Sequence, residues 1–220
     1  MSKKLFCTLL LTLLVGYSFA SDLDSDEPTQ KRETLHDTKT SFKDFRFSVG
    51  GGYARRLGKK DDMGDATLNK LLDKVQNQVF LEIDGQYFFK ETWGIGLSVN
   101  NAFGSGDVQG QTFKTNLLYV GPTFSMRFDF DKFLLLGNIG FGPLFYGEDY
   151  QGIIADTFNK TTLGFQTNFG AEYKLNRNLG LGIKLGWISG SYNLEMNGGE
   201  DYRMNLSNFN IGTYLSFRTW

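Results

Sequence analysis

Glu82 and Asp84 are carboxylates one residue apart on an alternating stretch, followed in the same phase by Gln86. Paired carboxylates can do general acid–base work when their surroundings hold one protonated and the other ionised. Arg46, Arg127, Glu172 and Lys184 share their polar phase on other stretches, among Asn100, Asn138, Gln166 and Asn168. Three acids facing three bases is also the composition of a charge-paired filling, in which every ion is held by a partner and by hydrogen bonds. Spacing alone cannot carry the catalytic reading, because any strand face brings alternate residues together. A serine or carboxylate site would be expected to use a histidine, and the single histidine, His36, precedes all of these stretches. Asp61, Asp62 and Asp65 could attract calcium but lack the full ligand spacing of a known loop. The polar set Arg46, Glu82, Asp84, Arg127, Glu172 and Lys184 is therefore read as structural. No catalytic, cofactor-binding or metal-binding residue is assigned, and no enzymatic activity is expected.

The elements that position these residues are strands. Val79 to Phe103 reads VFLEIDGQYFF, KET, WGIGLSVNNAF. Val79, Leu81, Ile83, Tyr87 and Phe89 take odd positions, and Trp93, Ile95, Leu97, Val99 and Phe103 resume on odd numbers after Lys90–Thr92. Strict alternation on both sides of a short break is a β-hairpin with one apolar and one polar face. The pattern recurs over about 44–57, 116–128 (with the apolar phase switched to even numbers), 133–146, 161–175, 179–192 and 206–217. Eight strands result. The breaks at Lys90–Thr92, Asp129–Lys132 and Asn176–Asn178 are tight. Those at Gly58–Asn77, Gly104–Thr115, Gly147–Lys160 and Asn193–Asn205 are expected to be long loops. Short turns at one end and long loops at the other describe an up-and-down membrane barrel. Pro122 and Pro143 interrupt two strands, and bulges or irregular rungs are expected there.

Alternation does not say which face points inward; a soluble barrel would turn its apolar face in around a ligand. Three features favour lipid outside. The polar phase is rich in small residues such as Gly94, Gly96, Gly140, Gly180 and Gly182, as a narrow lumen requires. The apolar phase carries almost no charge, with Arg55 near a loop as the exception. Aromatics gather at both strand ends: Phe89, Trp93, Phe133, Tyr173 and Phe217 at the tight turns, and Tyr53, Phe103, Phe145, Trp187 and Phe209 towards the loops, with Trp220 closing the chain. Such rings mark the two membrane interfaces. From Trp93 to Phe103 is ten steps of about 3.3 Å, which at a tilt of about 40° spans roughly 25 Å.

The sequence before the barrel divides in two. Met1–Ala20 has basic Lys3 and Lys4, an apolar centre and a Ser18-Phe19-Ala20 exit, the form of a cleaved secretory signal peptide. Residues 21–43 are polar and charged and are read as a disordered periplasmic lead-in. The barrel is assigned to 44–220. Cys7, the one cysteine, lies within the leader and lacks the small-residue context of a lipidation site, so disulfide and thiol chemistry are excluded from the mature chain. The formal charge of −1, without any basic block, excludes a nucleic-acid partner. Within Gly58–Asn77, Leu68, Leu71, Leu72 and Val75 follow helical spacing behind Asp65. A short helix in the first external loop is expected, and these four residues are the candidate recognition element for a surface ligand.

The leader, the FSVGGGYARRLG and YVGPTFSMRF stretches and the aromatic C-terminus carry a family likeness. The chain resembles the small outer-membrane β-barrels of the outer membrane protein A/X-like and porin families over about 43–220. The resemblance implies an all-β, eight-stranded antiparallel up-and-down transmembrane barrel in the cell outer membrane, in contact with outer-membrane lipid and inserted by the barrel-assembly machinery. Trp220 is out of phase with Phe217, Leu215 and Ile211, which departs from the family's terminal signal. No peptidoglycan-binding domain is expected after the barrel. The expected role is structural or surface-interacting, through external loops around a plugged polar lumen. A narrow porin-like channel or a lipid-acting barrel enzyme is the alternative.

Overall fold

The computed structural model describes residues 44–57, 73–108, 111–151, 156–195 and 201–219. The expected signal peptide, the lead-in, His36, the Asp61–Asp65 cluster, Leu68, Leu71, Leu72 and Trp220 lie outside them.

Alternating side chains leave each strand with one face that must be buried and one that suits lipid, and a closed sheet satisfies both without leaving an edge. The strands are β1 (Asp44–Arg56), β2 (Asn77–Phe88), β3 (Trp93–Val108), β4 (Gln111–Asp129), β5 (Phe133–Gln151), β6 (Asp156–Lys174), β7 (Leu179–Glu195), β8 (Asp201–Asn205) and β9 (Asn208–Thr219). Neighbours in sequence pair antiparallel, and β9 closes the wall against β1. β8 and β9 are two parts of one wall strand. Ser191 faces Asn205 above the break and Ile188 faces Asn208 below it in unchanged register. At the break, Leu206 N donates to Gly190 O at 2.9 Å and Leu57 N to Ser207 O at 2.7 Å. The barrel thus has eight staves.

The stagger of the wall follows from the pairing. From Arg46 the rungs lead through Gln86, Gly96, Thr123, Gly140, Gln166, Ile188 and Asn208, and return to β1 at Arg56, ten residues along. Eight strands with that shear tilt by roughly 40° and leave an interior just wide enough for side chains. Inward positions carry even numbers on every strand except β4, where they are odd.

Two expectations are corrected by the strand lengths. Gly104–Thr115, Gly147–Lys160 and Asn193–Asn205 are largely strand rather than loop, since β3 to β8 run on into them. Apolar alternation ends at the membrane surface, but backbone pairing does not, because polar outward side chains suit water as well as apolar ones suit lipid. At the prolines the register does not shift. Tyr119 faces Leu144 and Thr123 faces Gly140 in one continuous register, while the ladder lapses where Val120–Pro122 pass Phe141–Pro143. On their other sides Pro122 still pairs with Leu97 and Pro143 with Leu163. Both missing donors thus fall around a single seam, as an irregular ladder and not as a bulge.

Candidate functional site

The six polar residues singled out in sequence are buried on the inner face of five staves. Arg46 on β1 reaches Glu172 on β6, with Nη2 2.7 Å and Nε 3.3 Å from Oε2. Its Nη1 donates to Gln86 Oε1 at 2.9 Å, and Gln86 Nε2 donates to Asn138 Oδ1 at 2.9 Å. The second oxygen of Glu172 accepts from Arg218. Lys184 on β7 lies between the two carboxylates of β2, 2.5 Å from Asp84 Oδ2 and 3.2 Å from Glu82 Oε2. Glu82 Oε1 also accepts from Asn168 Nδ2 at 2.8 Å and Gln166 Nε2 at 3.0 Å. Arg127 pairs with Asp44 and donates Nε to the Glu91 carbonyl at 2.8 Å. Each ion therefore has an opposite partner and further hydrogen bonds, the condition under which charges persist away from water. Glu82 and Asp84 are both held by the one Lys184 ammonium.

Sequence reading missed Asp44, Asp129 and Arg218, which sit at strand ends in the inward phase of their own staves; extending the parity by one step would have found them. It also missed the aromatic contribution. The Tyr214 ring lies 5.2 Å from both the Arg46 guanidinium and the Lys184 ammonium, and Phe88 lies 4.1 Å under the Arg127 guanidinium. Gly180 and Gly182 leave the space that Glu172 and Tyr214 occupy, since a Cβ at either would overlap those side chains.

The lumen is layered rather than uniformly polar. Phe88, Leu134, Leu136 and Tyr214 cluster towards the tight turns. Towards the loops lie Phe80, Leu117, Tyr119, Leu144, Ile188 and Leu206. Above these, Arg56 donates to the Tyr146 hydroxyl at 2.7 Å and covers its ring at 4.7 Å, and Tyr146 bonds Glu148. The inner amides of Asn100 and Asn210 stand apart from the ion network, with no hydrogen-bond partner among the described residues. Val75, the last residue of the expected loop helix, is buried at 1% exposure, and Lys74 beside it donates to the Asp107 carbonyl at 2.7 Å.

The outer wall has the opposite chemistry. Ile183 is 63% exposed and Phe141 65%, among many apolar side chains open on that face. The candidate interfacial aromatics Tyr53, Phe89, Phe103, Phe133, Phe145, Tyr173, Trp187, Phe209 and Phe217 are all exposed there, while Trp93 is half-buried and stacks on Phe124 at 5.2 Å. Towards the loops, seven staves change from an apolar residue to a polar one or to glycine in one outward step: Tyr53 to Arg55, Val79 to Asn77, Phe103 to Ser105, Leu118 to Asn116, Phe145 to Gly147, Leu163 to Thr161 and Trp187 to Ser189. On the eighth, Phe209 is followed by Ser207, which is buried.

A closed, tilted eight-stave wall with an apolar exterior and ion-paired interior defines a transmembrane β-barrel. The chain belongs to the outer membrane protein beta-barrel domain family, whose model matches residues 46–217. It is an outer-membrane barrel. No curated protein sequence matches it. Among solved structures, a major outer membrane protein from Thermus thermophilus aligns with a TM-score of 0.50 at 11% identity, covering 81% of this chain and 100% of that one. Neisserial surface protein A aligns with a TM-score of 0.49 at 12% identity, over 79% and 96% of the two chains. Ail, the attachment invasion locus protein of Yersinia pestis, in complex with the heparin analogue sucrose octasulfate, aligns with a TM-score of 0.48 at 13% identity, over 80% and 99%.

Proposed function

We propose that this protein is a non-catalytic outer-membrane barrel with a plugged lumen, acting through the surface that its staves and loops present outside the cell. The observation that carries this reading is the joining of opposite walls inside the barrel: Arg46 to Glu172 to Arg218, and Lys184 to Glu82 and Asp84. These ties cross the route a solute would take through the lumen, with an apolar layer on their loop side and Phe88, Leu134, Leu136 and Tyr214 packed among them. In this reading Met1–Ala20 directs export, the barrel-assembly machinery inserts the chain, and the two aromatic rings set its depth in lipid. Leu68, Leu71 and Leu72 belong to the loop element offered to a surface ligand, while Val75, expected in the same element, is buried and not available to it. The four sequence segments 58–77, 104–115, 147–160 and 193–205 together carry four more acidic than basic residues. That balance favours a neutral or cationic partner over a polysulfated one, because like charges at an interface oppose association.

Planar-bilayer recording tests the plug. The expected result is no reproducible unitary conductance; discrete steps of constant size would overturn it. A pull-down from surface-labelled material, comparing the intact chain with one lacking 58–77, tests the loop. An unchanged set of captured partners would remove that segment as the recognition element.

A further inference from the structure

A groove of about 710 Å³, lined mostly by outward-facing residues of β2 to β6, runs along the wall at its upper boundary. The register shows how it is built. One outward row crosses five staves as Val79, Phe103, Asn116, Gly147 and Asn159. The next row up crosses four as Ser105, Lys114, Asp149 and Thr157. Gly147 sits between Asn116 and Asn159 with no side chain, so the sheet is hollow at that point of the first row. Asn77 completes the rim.

The lining has a definite chemistry. Asn77, Asn116 and Asn159 each offer both a donor and an acceptor, and Ser105 and Thr157 add hydroxyls. Lys114 and Asp149 face each other across the β4–β5 ladder and balance on the outward face, while Glu148, which also lines the groove, turns its carboxylate inward to the Tyr146 hydroxyl. Val79 and Phe103 form an apolar end, 52% and 41% exposed. Mixed donors and acceptors beside an apolar ring suit a hydroxyl-rich ring compound with C–H faces better than a bare phosphate or a cation. Position selects the source. Val79 and Phe103 are the last apolar residues of their staves, so the groove opens where acyl chains give way to headgroups. We propose that this groove binds the saccharide headgroup of an outer-leaflet glycolipid, whose acyl chains continue down the wall along Val79 and Leu81.

The test uses the full mature chain in nanodiscs, followed by amide NMR, with lipopolysaccharide of short core as the probe. Saturable shifts confined to Asn77, Phe103, Asn116 and Asn159 are expected, and phosphatidylglycerol should not reproduce them. Asn116→Ala with Asn159→Ala should weaken the half-saturation point about tenfold, the loss of two hydrogen bonds. Gly147→Leu, which fills the hollow, should abolish saturation. The nearest atom to a Cβ there is the flexible Asn159 Oδ1 at 3.0 Å, so the wall should tolerate it. Heat-modified gel mobility confirms that each variant is folded. Shifts of equal size around Trp187 and Phe209 on the far staves, or shifts unchanged in both variants, would overturn the site. Saturation by the deacylated soluble oligosaccharide at the same concentration as the lipid would overturn the headgroup assignment in favour of a free glycan.

Discussion

Arg46 and Glu172 lie 126 residues apart in sequence and 2.7 Å apart across the lumen, joining β1 to β6. Glu172 also holds Arg218 on β9, so one carboxylate neutralises two guanidinium groups. Removing it leaves both cations buried together. Glu172→Ala should cost about 3–5 kcal/mol, the penalty for breaking a buried pair. Urea titration of the chain in lipid vesicles measures it. Replacing the pair together by apolar residues, Arg46→Met with Glu172→Leu, should cost clearly less than the single change, even though Arg218 then loses a partner. A double variant no more stable than Glu172→Ala would show that the contact carries no coupling.

The sequence made the staves legible because lipid outside and a narrow lumen inside impose opposite demands on alternate residues. Gly180, Lys184 and Gly186 against Leu181, Ile183 and Leu185 show both demands on one strand. The network was legible as composition but not as pairing. Nothing local says that Lys184 sits between Glu82 and Asp84, since that contact depends on the shear of the closed wall. The inner apolar layers were hidden for another reason. Phe80, Phe88, Leu134 and Leu144 stand on the face read as polar, where large apolar side chains fill the ends of the lumen. The upward extension of β3 to β6 was missed because Ser105, Lys114, Asn116 and Asn159 look like loop residues until their cross-strand rows are seen.

The close fit around Glu172 makes a second prediction. A Cβ on Gly180 would overlap Glu172 Oε1 and crowd Ser216 Oγ. Gly180→Ala should therefore destabilise the barrel by about 1–3 kcal/mol through overpacking. Gly137→Ala, on the outer face with its nearest neighbour 3.9 Å from a Cβ, should be close to neutral. Equal losses in the same urea titration would remove the steric argument.

The seam between β4 and β5 should be the least protected part of the membrane wall. Pro122 and Pro143 supply no amide hydrogen, and the ladder lapses between Val120–Pro122 and Phe141–Pro143. Hydrogen exchange in detergent micelles should reach the amides of Val120 and Phe141, which point into the seam, before the unbroken rungs joining Arg46–Gln86 and Val49–Ile83. Slower exchange at Val120 and Phe141 than at those rungs would contradict a weak seam.

The lipid boundary can be read by placing a charge at two heights on β7. Ile183 lies in the middle of the outer wall with 63% exposure, and Ser189 stands one outward step above Trp187. A guanidinium at the bilayer midplane costs roughly 2–4 kcal/mol, falling to about 0–1 near the interface, where the side chain can reach the headgroups. Ile183→Arg should therefore lower the folding free energy in vesicles by the larger amount and Ser189→Arg by the smaller. Both positions face away from the lumen, so the ion-paired interior is the same in each, and the difference reports depth alone. Equal costs at the two sites would mean that the change from Trp187 to Ser189 does not mark the membrane surface, and the ring of aromatics at that level would lose its assignment with it.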